Sequence, residues 1–389
     1  MPTPASQSEV LDRLRDWIGT GRLPGDYPLP SERELSAQLG THRTTVRRAI
    51  SALADEGLLR RDGRRVVVAV RKSVWMSKTV ALVLPRPVPQ HSPAVNRDWA
   101  SFVTLDMTRA VHNAGLHALS LNVAELTEST LRRLAADQPM GVAVPEVFMG
   151  GDATLELIRT LQSHGLRVVV ASGDPRCDGF DRVTSDHEQG GYLLTRRLLD
   201  MGCRKLACLW RPPHATYWYQ GRARGMQRAA AEAGIAPVPI HSTPDRPIPV
   251  SPTDWDHYAR IEAGHLLAAF GPKLDVDAIM VTSDRDAFIT AAAVRLFGKE
   301  PGRDVLIAGY DNTYTLCEEH ASEPSMPTLT VDKRRELTGE MMIQLLTDRA
   351  SGRLPDAPQV RAVPPVVIEV RGDPARARPE TSPGSEDPV

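Results

Sequence analysis

The chain has 389 residues, of which 41% are hydrophobic and 24% charged, with a net charge of −1. That length suits two or three domains with buried cores, and the near-neutral balance excludes a uniformly basic, histone-like binder. The charge is uneven: residues 1–72 hold 13 Lys/Arg against 9 Asp/Glu, a net +4, and the remainder carries −5, so a small basic head precedes a larger acidic body.

The opening residues are polar and bear prolines, so no secretory signal is read. No run of about 18 apolar residues offers a membrane span. A cytoplasmic setting without membrane attachment is the expectation. Cys177, Cys203, Cys208 and Cys317 form no C-x-x-C pair, and reduced, packed thiols are expected.

In chain order, residues 9–18 place Val10, Leu14, Trp17 and Ile18 on one helical face. Glycines and prolines interrupt the pattern up to Pro30. Ser31-Glu32-Arg33-Glu34 is a capping box that starts a short helix carrying Leu35 and Leu39 inward and stopping at Gly40. A second helix starts at Thr41 or His42, buries Val46, Ala49, Ile50 and Leu53, and ends at Gly57. Two strands, 58–61 and 64–70, are hinged at Asp62-Gly63, which suits a tight hairpin. Helix, helix-turn-helix and hairpin together predict a winged helix-turn-helix over 1–72, followed by a linker over 73–78.

Over 79–372, short apolar strands alternate with amphipathic helices. Strands are predicted at 79–84, 117–122, 141–144, 167–171, 205–210, 277–282 and 304–308, with helices at 98–114, 155–164, 190–201, 223–233 and 287–296. This alternation predicts an α/β body of parallel sheets flanked by helices. Residues 373–389 are Pro-rich and nearly free of large apolar groups, and a disordered tail is expected.

The head resembles the GntR family of winged-helix regulators. The resemblance rests on Gly21-Arg22-Leu23-Pro24-Gly25, Leu29-Pro30-Ser31-Glu32-Arg33-Glu34-Leu35, Arg43-Thr44-Thr45-Val46-Arg47-Arg48-Ala49 and Glu56-Gly57-Leu58, in that order. The first turns of the second helix are rich in donors, as a recognition helix requires at the end that reaches base edges. The resemblance implies that Arg43 and Arg47 read bases, with His42 tuning the choice, and that Arg33, Thr44 and Thr45 contact phosphate or base edges. It places Gly63 and Arg64 of the wing near the minor groove. The wing departs from the family in having Arg64-Arg65 where a second glycine is common. For Arg48, Arg60 and Arg65 a solvated surface charge is an equal reading.

The body resembles the effector domain of LacI/GalR regulators, which shares the two-lobed fold of periplasmic sugar-binding proteins. The matching stretches include Val183-Thr184-Ser185-Asp186, Gly221-Arg222-Ala223-Arg224-Gly225-Met226, Ser283-Asp284-Arg285-Asp286-Ala287, Gly309-Tyr310-Asp311-Asn312 and Pro327-Thr328-Leu329-Thr330-Val331. A GntR head on such a body resembles the arrangement of arabinose-type repressors.

Ligands of open α/β sheets sit beyond the carboxyl ends of strands. That rule selects loops 85–101, 145–153, 172–181, 211–222, 283–286 and 310–315. By resemblance, Arg222 and Asp311 are a ligand's fork donor and hydroxyl acceptor, with Ser283 and Arg285 flanking the crevice. Trp99 and Phe102 can stack on an apolar sugar face. Tyr217, Trp218 and Tyr219 can also stack, or else belong to the core or a lobe interface. Asp284 is expected to cap its helix.

No catalytic triad, zinc-binding helix or nucleotide loop is found, and no cofactor or metal is expected. The resulting expectation is a dimeric repressor that binds double-stranded operator DNA and is gated by a small molecule, a sugar or sugar derivative, held between two lobes. The alternatives are a regulator with a decayed, ligand-independent sensor, or an enzyme acting on a sugar or nucleotide.

Overall fold

The computed structural model describes residues 6–20, 22–23, 27–63, 65–69, 75–84, 97–122, 126–144, 152–211, 216–244 and 250–370. Residues 73 and 74 of the expected linker and the whole of the expected tail lie outside these residues, as do Arg64 and the side chain of Trp99.

The head opens with α1 (Gln7–Gly19), α2 (Glu32–Leu39) and α3 (Arg43–Asp55), followed by the antiparallel hairpin β1 (Leu59–Asp62) and β2 (Arg65–Val68). The capping box forms as read: Glu34 N–H donates to Ser31 Oγ at 3.3 Å, and Ser31 N–H donates to the Glu34 carboxylate at 2.8 Å. Gly40 ends α2 in the left-handed conformation, with φ of 63°. Val10, Leu14, Leu35, Leu39, Val46, Ala49 and Leu53 form one core. Its helical spacing leaves the other face of α3 to solvent.

The body's first lobe comprises β3 (Thr79–Leu84), α4 (Arg97–Asn113), β4 (His117–Asn122), α5 (Glu128–Asp137), β5 (Gly141–Val144), α6 (Asp152–Ser163), β6 (Val168–Ala171) and β7 (Asp181–Ser185). The second comprises α7 (His187–Asp200), β8 (Leu206–Trp210), α8 (Tyr217–Glu232), β9 (Ile240–Ser242), α9 (Trp255–Phe270), β10 (Ala278–Val281), α10 (Asp284–Arg295), β11 (Leu306–Ala308) and β12 (Leu329–Asp332). The chain then returns to the first lobe for α11 (Arg335–Ala350) and β13 (Val360–Val363), and crosses again for β14 (Val366–Glu369).

The sheet orders are β4-β3-β5-β6-β7-β13 and β9-β8-β10-β11-β12-β14. All pairs are parallel except β12 with β14. Alternate residues of each strand enter different cores. Ala81, Val83, Val142 and Val144 face one side of the first sheet, and Val80, Leu82, Ala143 and Val169 the other. Burial on both faces explains the nearly continuous apolar runs. The four cysteines are free and buried. Among the described residues no helix is long and apolar enough to cross a membrane.

The lobes are joined where β7 leads into α7, where β12 leads into α11, and where β13 leads into β14. Asp186 and His187, Lys333 and Arg334, and Pro364 and Pro365 occupy these crossings. The first two bring polar side chains to the carboxyl ends of strands, where ligand crevices form in such sheets.

Candidate functional site

In the head, the core-facing side of α3 fixes which side chains project. Arg33, His42, Arg43, Thr44 and Arg47 are exposed, and Thr45 is half-buried. No acidic residue occupies the first turn of α3, and the side chain of His42 makes no capping hydrogen bond. The positive end of the helix is therefore open to an anion. Gly63 is exposed at the tip of the hairpin with φ of 59°, a conformation glycine adopts without strain. Arg47 is paired: Nε donates to Glu32 Oε1 at 2.9 Å and Nη2 to Oε2 at 2.7 Å.

In the body, α7 and α8 cross at glycines. A Cβ on Gly225 would lie 1.8 Å from the backbone oxygen of Glu188, and one on Gly191 would lie 2.2 Å from that of Arg222. This close approach presses Arg222 into the second lobe. Its guanidinium stands 3.4 Å over the Tyr310 ring and 4.7 Å over Trp218, and its Nη1 donates to Thr282 O at 2.7 Å.

Asp311 faces Arg222 from the loop after β11, with Oδ1 at 3.9 Å from Arg222 Nη2 and 2.9 Å from Lys333 Nζ. Both Asp311 and Asn312 hold positive φ, 96° and 53°. That conformation is costly for side-chain-bearing residues and is found where a loop is held by its surroundings. The holder is Asp284. Its Oδ2 accepts from the N–H groups of Thr313 and Tyr314 at 2.6 and 3.1 Å, and Thr330 Oγ1 lies 2.6 Å from its Oδ1. Burial pushes the Asp284 carboxyl up to about 8. The sequence suggests that Asp284 caps α10, but α10 begins at Asp284 itself and Ser283 is the N-cap residue. The carboxyl group turns instead to the loop that carries Asp311.

His187, at the crossing from β7, is buried beside these groups, its ring 5.7 Å from Tyr217 and 6.2 Å from Tyr310. Burial first, then the charges of Arg222 and Lys333, hold its imidazole well below the ordinary value, so it is neutral at pH 7. Arg222 Nε, His187 Nδ1 and Asp311 Oδ1 are buried without a hydrogen-bond partner of good geometry among the described residues, the ion pair of Asp311 with Lys333 notwithstanding.

The structure thus brings together Arg222 and Asp311, and adds Lys333, His187 and Tyr310, which sequence reasoning does not single out. Ser283 is half-buried and lies 3.0 Å from Asp286 Oδ2. Arg285 turns away: its Nη1 donates to both oxygens of Glu319, at 2.8 and 2.7 Å, with both side chains buried. Phe102 is half-buried in the first lobe beneath the Arg335 guanidinium, 4.9 Å from the ring centroid. Tyr219 is half-buried and packs its ring edge-on against Trp210 at the border of the core. A separate buried network joins Arg211 to Asp286 at 2.7 Å and to Glu262 at 3.2 Å.

Comparison with known proteins agrees with this architecture. Residues 6–68 match the bacterial regulatory proteins of the gntR family, and residues 195–372 match the periplasmic binding protein-like domain. The chain is 46% identical over 65 residues to the HTH-type transcriptional repressor NagR of Bacillus subtilis (strain 168), covering 16% of this chain and 27% of NagR. It is 31% identical over 170 residues to the HTH-type transcriptional regulator CelR of Thermobifida fusca, covering 44% of this chain and 45% of CelR. The chain therefore spans less than half the length of these two relatives. Its fold matches the solved transcriptional regulator CelR-cellobiose complex with a TM-score of 0.53 and 20% identity, covering 88% of this chain and 99% of that one. The relatives named here are transcriptional regulators and not enzymes. The chain joins a head that matches the gntR family model to a body that matches the periplasmic binding protein-like domain, with a two-lobed fold like that of a LacI-family regulatory protein from Chloroflexus aggregans (TM-score 0.55, 20% identity, covering 75% of this chain and 98% of that one).

Proposed function

We propose that this chain is a DNA-binding transcriptional repressor gated by a small polar effector, a sugar or sugar derivative, held between its lobes. The observation that carries the gating is the buried set Arg222 Nε, His187 Nδ1 and Asp311 Oδ1, polar atoms that have no hydrogen bond of good geometry among the described residues, although Asp311 Oδ1 is ion-paired with Lys333. Buried polar groups are nearly always hydrogen-bonded, so these suit a ligand rich in hydroxyls. Asp311 accepts, Arg222 donates, and the Tyr310 and Trp218 rings keep the guanidinium in place. CelR, whose fold this chain shares, is solved in complex with cellobiose, and that disaccharide is the first effector to try. The protein acts as a homodimer on a two-fold operator, since a two-fold pair imposes its symmetry on the DNA.

DNA reading rests on the exposed face of α3. Arg43→Ala weakens binding to a duplex selected from a randomised pool by about 1–3 kcal/mol and relaxes base preference. Anisotropy titrations at fixed salt measure this, and unchanged affinity in a folded variant refutes the assignment of Arg43.

Gating is tested at Asp311. Asp311→Asn removes a charged acceptor, and weakens effector binding by about 1–2 kcal/mol in calorimetry. Operator affinity without effector stays near wild type, because Asp311 belongs to the body. The screen that precedes it offers cellobiose and other mono- and disaccharides. If none binds, the reading of a simple sugar effector fails.

A further inference from the structure

The pairing of Arg47 with Glu32 has no large structural purpose. Both side chains reach solvent, 66% and 28% exposed, and such pairs contribute little to stability. The fold of α2 is already secured by the Ser31–Glu34 box. The placement of Glu32 is also electrostatically costly if α3 meets DNA, because a carboxylate then approaches the phosphate backbone. Something must offset that repulsion.

The geometry of the fork supplies the reason. Glu32 takes the Nε and Nη2 donors on one edge of the guanidinium, at 2.9 and 2.7 Å. The end-on edge, formed by Nη1 and the second hydrogen of Nη2, is left for another partner. Two parallel donors on that edge match guanine O6 and N7 in the major groove. An unheld arginine would lose most of its rotamer freedom on docking, while one already clamped from a neighbouring helix loses less. The Glu32 carboxyl is held below its ordinary value, by the Arg47 hydrogen bonds first and the charge of Arg43 last, so the clamp is ionised at pH 7.

We propose that Glu32 is a positioning residue that aims Arg47 at a guanine of the operator, and so sets base preference without touching a base. This rests on the reading of α3 as the DNA-contacting helix. Charge alone and positioning predict opposite signs, which makes the proposal testable. If Glu32 acts only as a negative charge near DNA, its removal strengthens binding to every sequence. If it aims Arg47, its removal weakens binding to the recognised sequence and leaves random sequence equal or slightly stronger.

The experiment uses the full chain. Selection from a randomised duplex pool gives the preferred sequence. Anisotropy titrations at fixed salt then compare that duplex, a copy with 7-deazaguanine at each guanine in turn, and a random-sequence duplex. The variants are Glu32→Ala, Glu32→Gln, Arg47→Ala and the double change Glu32→Ala with Arg47→Ala. The expected result is a loss of about tenfold for Glu32→Ala on the preferred duplex, within the range of one bidentate base contact, with no loss on random sequence. Glu32→Gln falls between, because its amide keeps one acceptor. One guanine loses its 7-deaza sensitivity in both Glu32→Ala and Arg47→Ala, and the double variant is no weaker than Arg47→Ala. Equal strengthening on both duplexes in Glu32→Ala overturns the proposal. So does a further loss of base preference when Glu32→Ala is added to Arg47→Ala, since Glu32 would then read a base itself. If Arg47→Ala keeps the full preference, the reading of Arg47 fails, and it fails independently of Glu32.

Discussion

Replacing Arg285 by alanine is expected to lower the stability of the body by about 3–5 kcal/mol, the cost of stranding one member of a buried ion pair. Glu319 is fully enclosed and receives two contacts from Arg285 Nη1, at 2.8 and 2.7 Å. A further donor is the backbone N–H of Val250, at a long 3.4 Å. Without the guanidinium, the carboxylate must be protonated or hydrated, and either route loosens the turn at 318–321 from α10. The double change Arg285→Met with Glu319→Leu separates charge from shape. It leaves no stranded ion and is expected to recover most of the loss, because apolar replacements of buried pairs are commonly neutral or better. Denaturant unfolding followed by circular dichroism measures both, with the body's transition fitted separately from the head's. A variant Arg285→Ala that keeps its stability but loses effector affinity would return Arg285 to the crevice as a ligand group.

Arg285 also shows what the sequence can and cannot reveal. A charged residue at the start of a helix, beyond a strand's carboxyl end, has the position expected of a ligand contact. Its partner, Glu319, lies 34 residues away in a turn with no periodicity to announce it. Asp284 behaves in the same way: its place at a helix start suggests a cap, while its acceptor atoms serve a loop reached only through the fold. Lys333 is out of reach for a different reason. It follows β12, a strand the apolar pattern does not predict, so the rule that searches strand ends has no end to search. Strands β13 and β14 are edge strands flanking Pro364-Pro365, and β7 carries Asp181 and Arg182 because Asp181 pairs with Arg349 at 2.6 Å. β7 and β13 present no apolar run of the kind that marks β3 or β5, and the run Val366-Val367-Ile368 of β14 is short and follows two prolines. Helix α11 buries Met342, Ile343, Leu345 and Leu346 against the sheet and α4, and adjacent apolar residues blur a helical period.

The head is more legible because its signals are local. A capping box, a left-handed glycine and an Asp-Gly turn each act within four residues, and the core positions of α3 follow a single stripe. Arg222 and Asp311 are reached by resemblance, and most of their environment then comes from contacts distant in sequence, Tyr310 under Arg222 and Lys333 beside Asp311, while Trp218 is a neighbour of Arg222 one turn back on α8.

Gly225→Ala is the second change expected to have a large effect, and its sign is set by competition. Alanine is preferred over glycine within a helix by about 0.8–1 kcal/mol, so α8 alone would be steadier. Against this, the new methyl carbon would stand 1.8 Å from the backbone oxygen of Glu188 and 2.7 Å from the backbone nitrogen of Tyr192. These are main-chain atoms of α7, which cannot rotate aside as a side chain can. The helices must separate, and the expected net loss is about 3 kcal/mol, the upper end for overpacking a core. Separation also draws Arg222 from Thr282 O and from the Tyr310 ring, so effector affinity falls with stability. Gly264→Ala on α9 is the internal control. A Cβ there meets nothing within 4 Å, and only the helical preference remains, a gain of about 0.5–1 kcal/mol. Denaturant midpoints of the two variants are therefore expected to move in opposite directions from wild type. If both rise, α7 and α8 tolerate a wider crossing, and Arg222 does not depend on their close approach for its place.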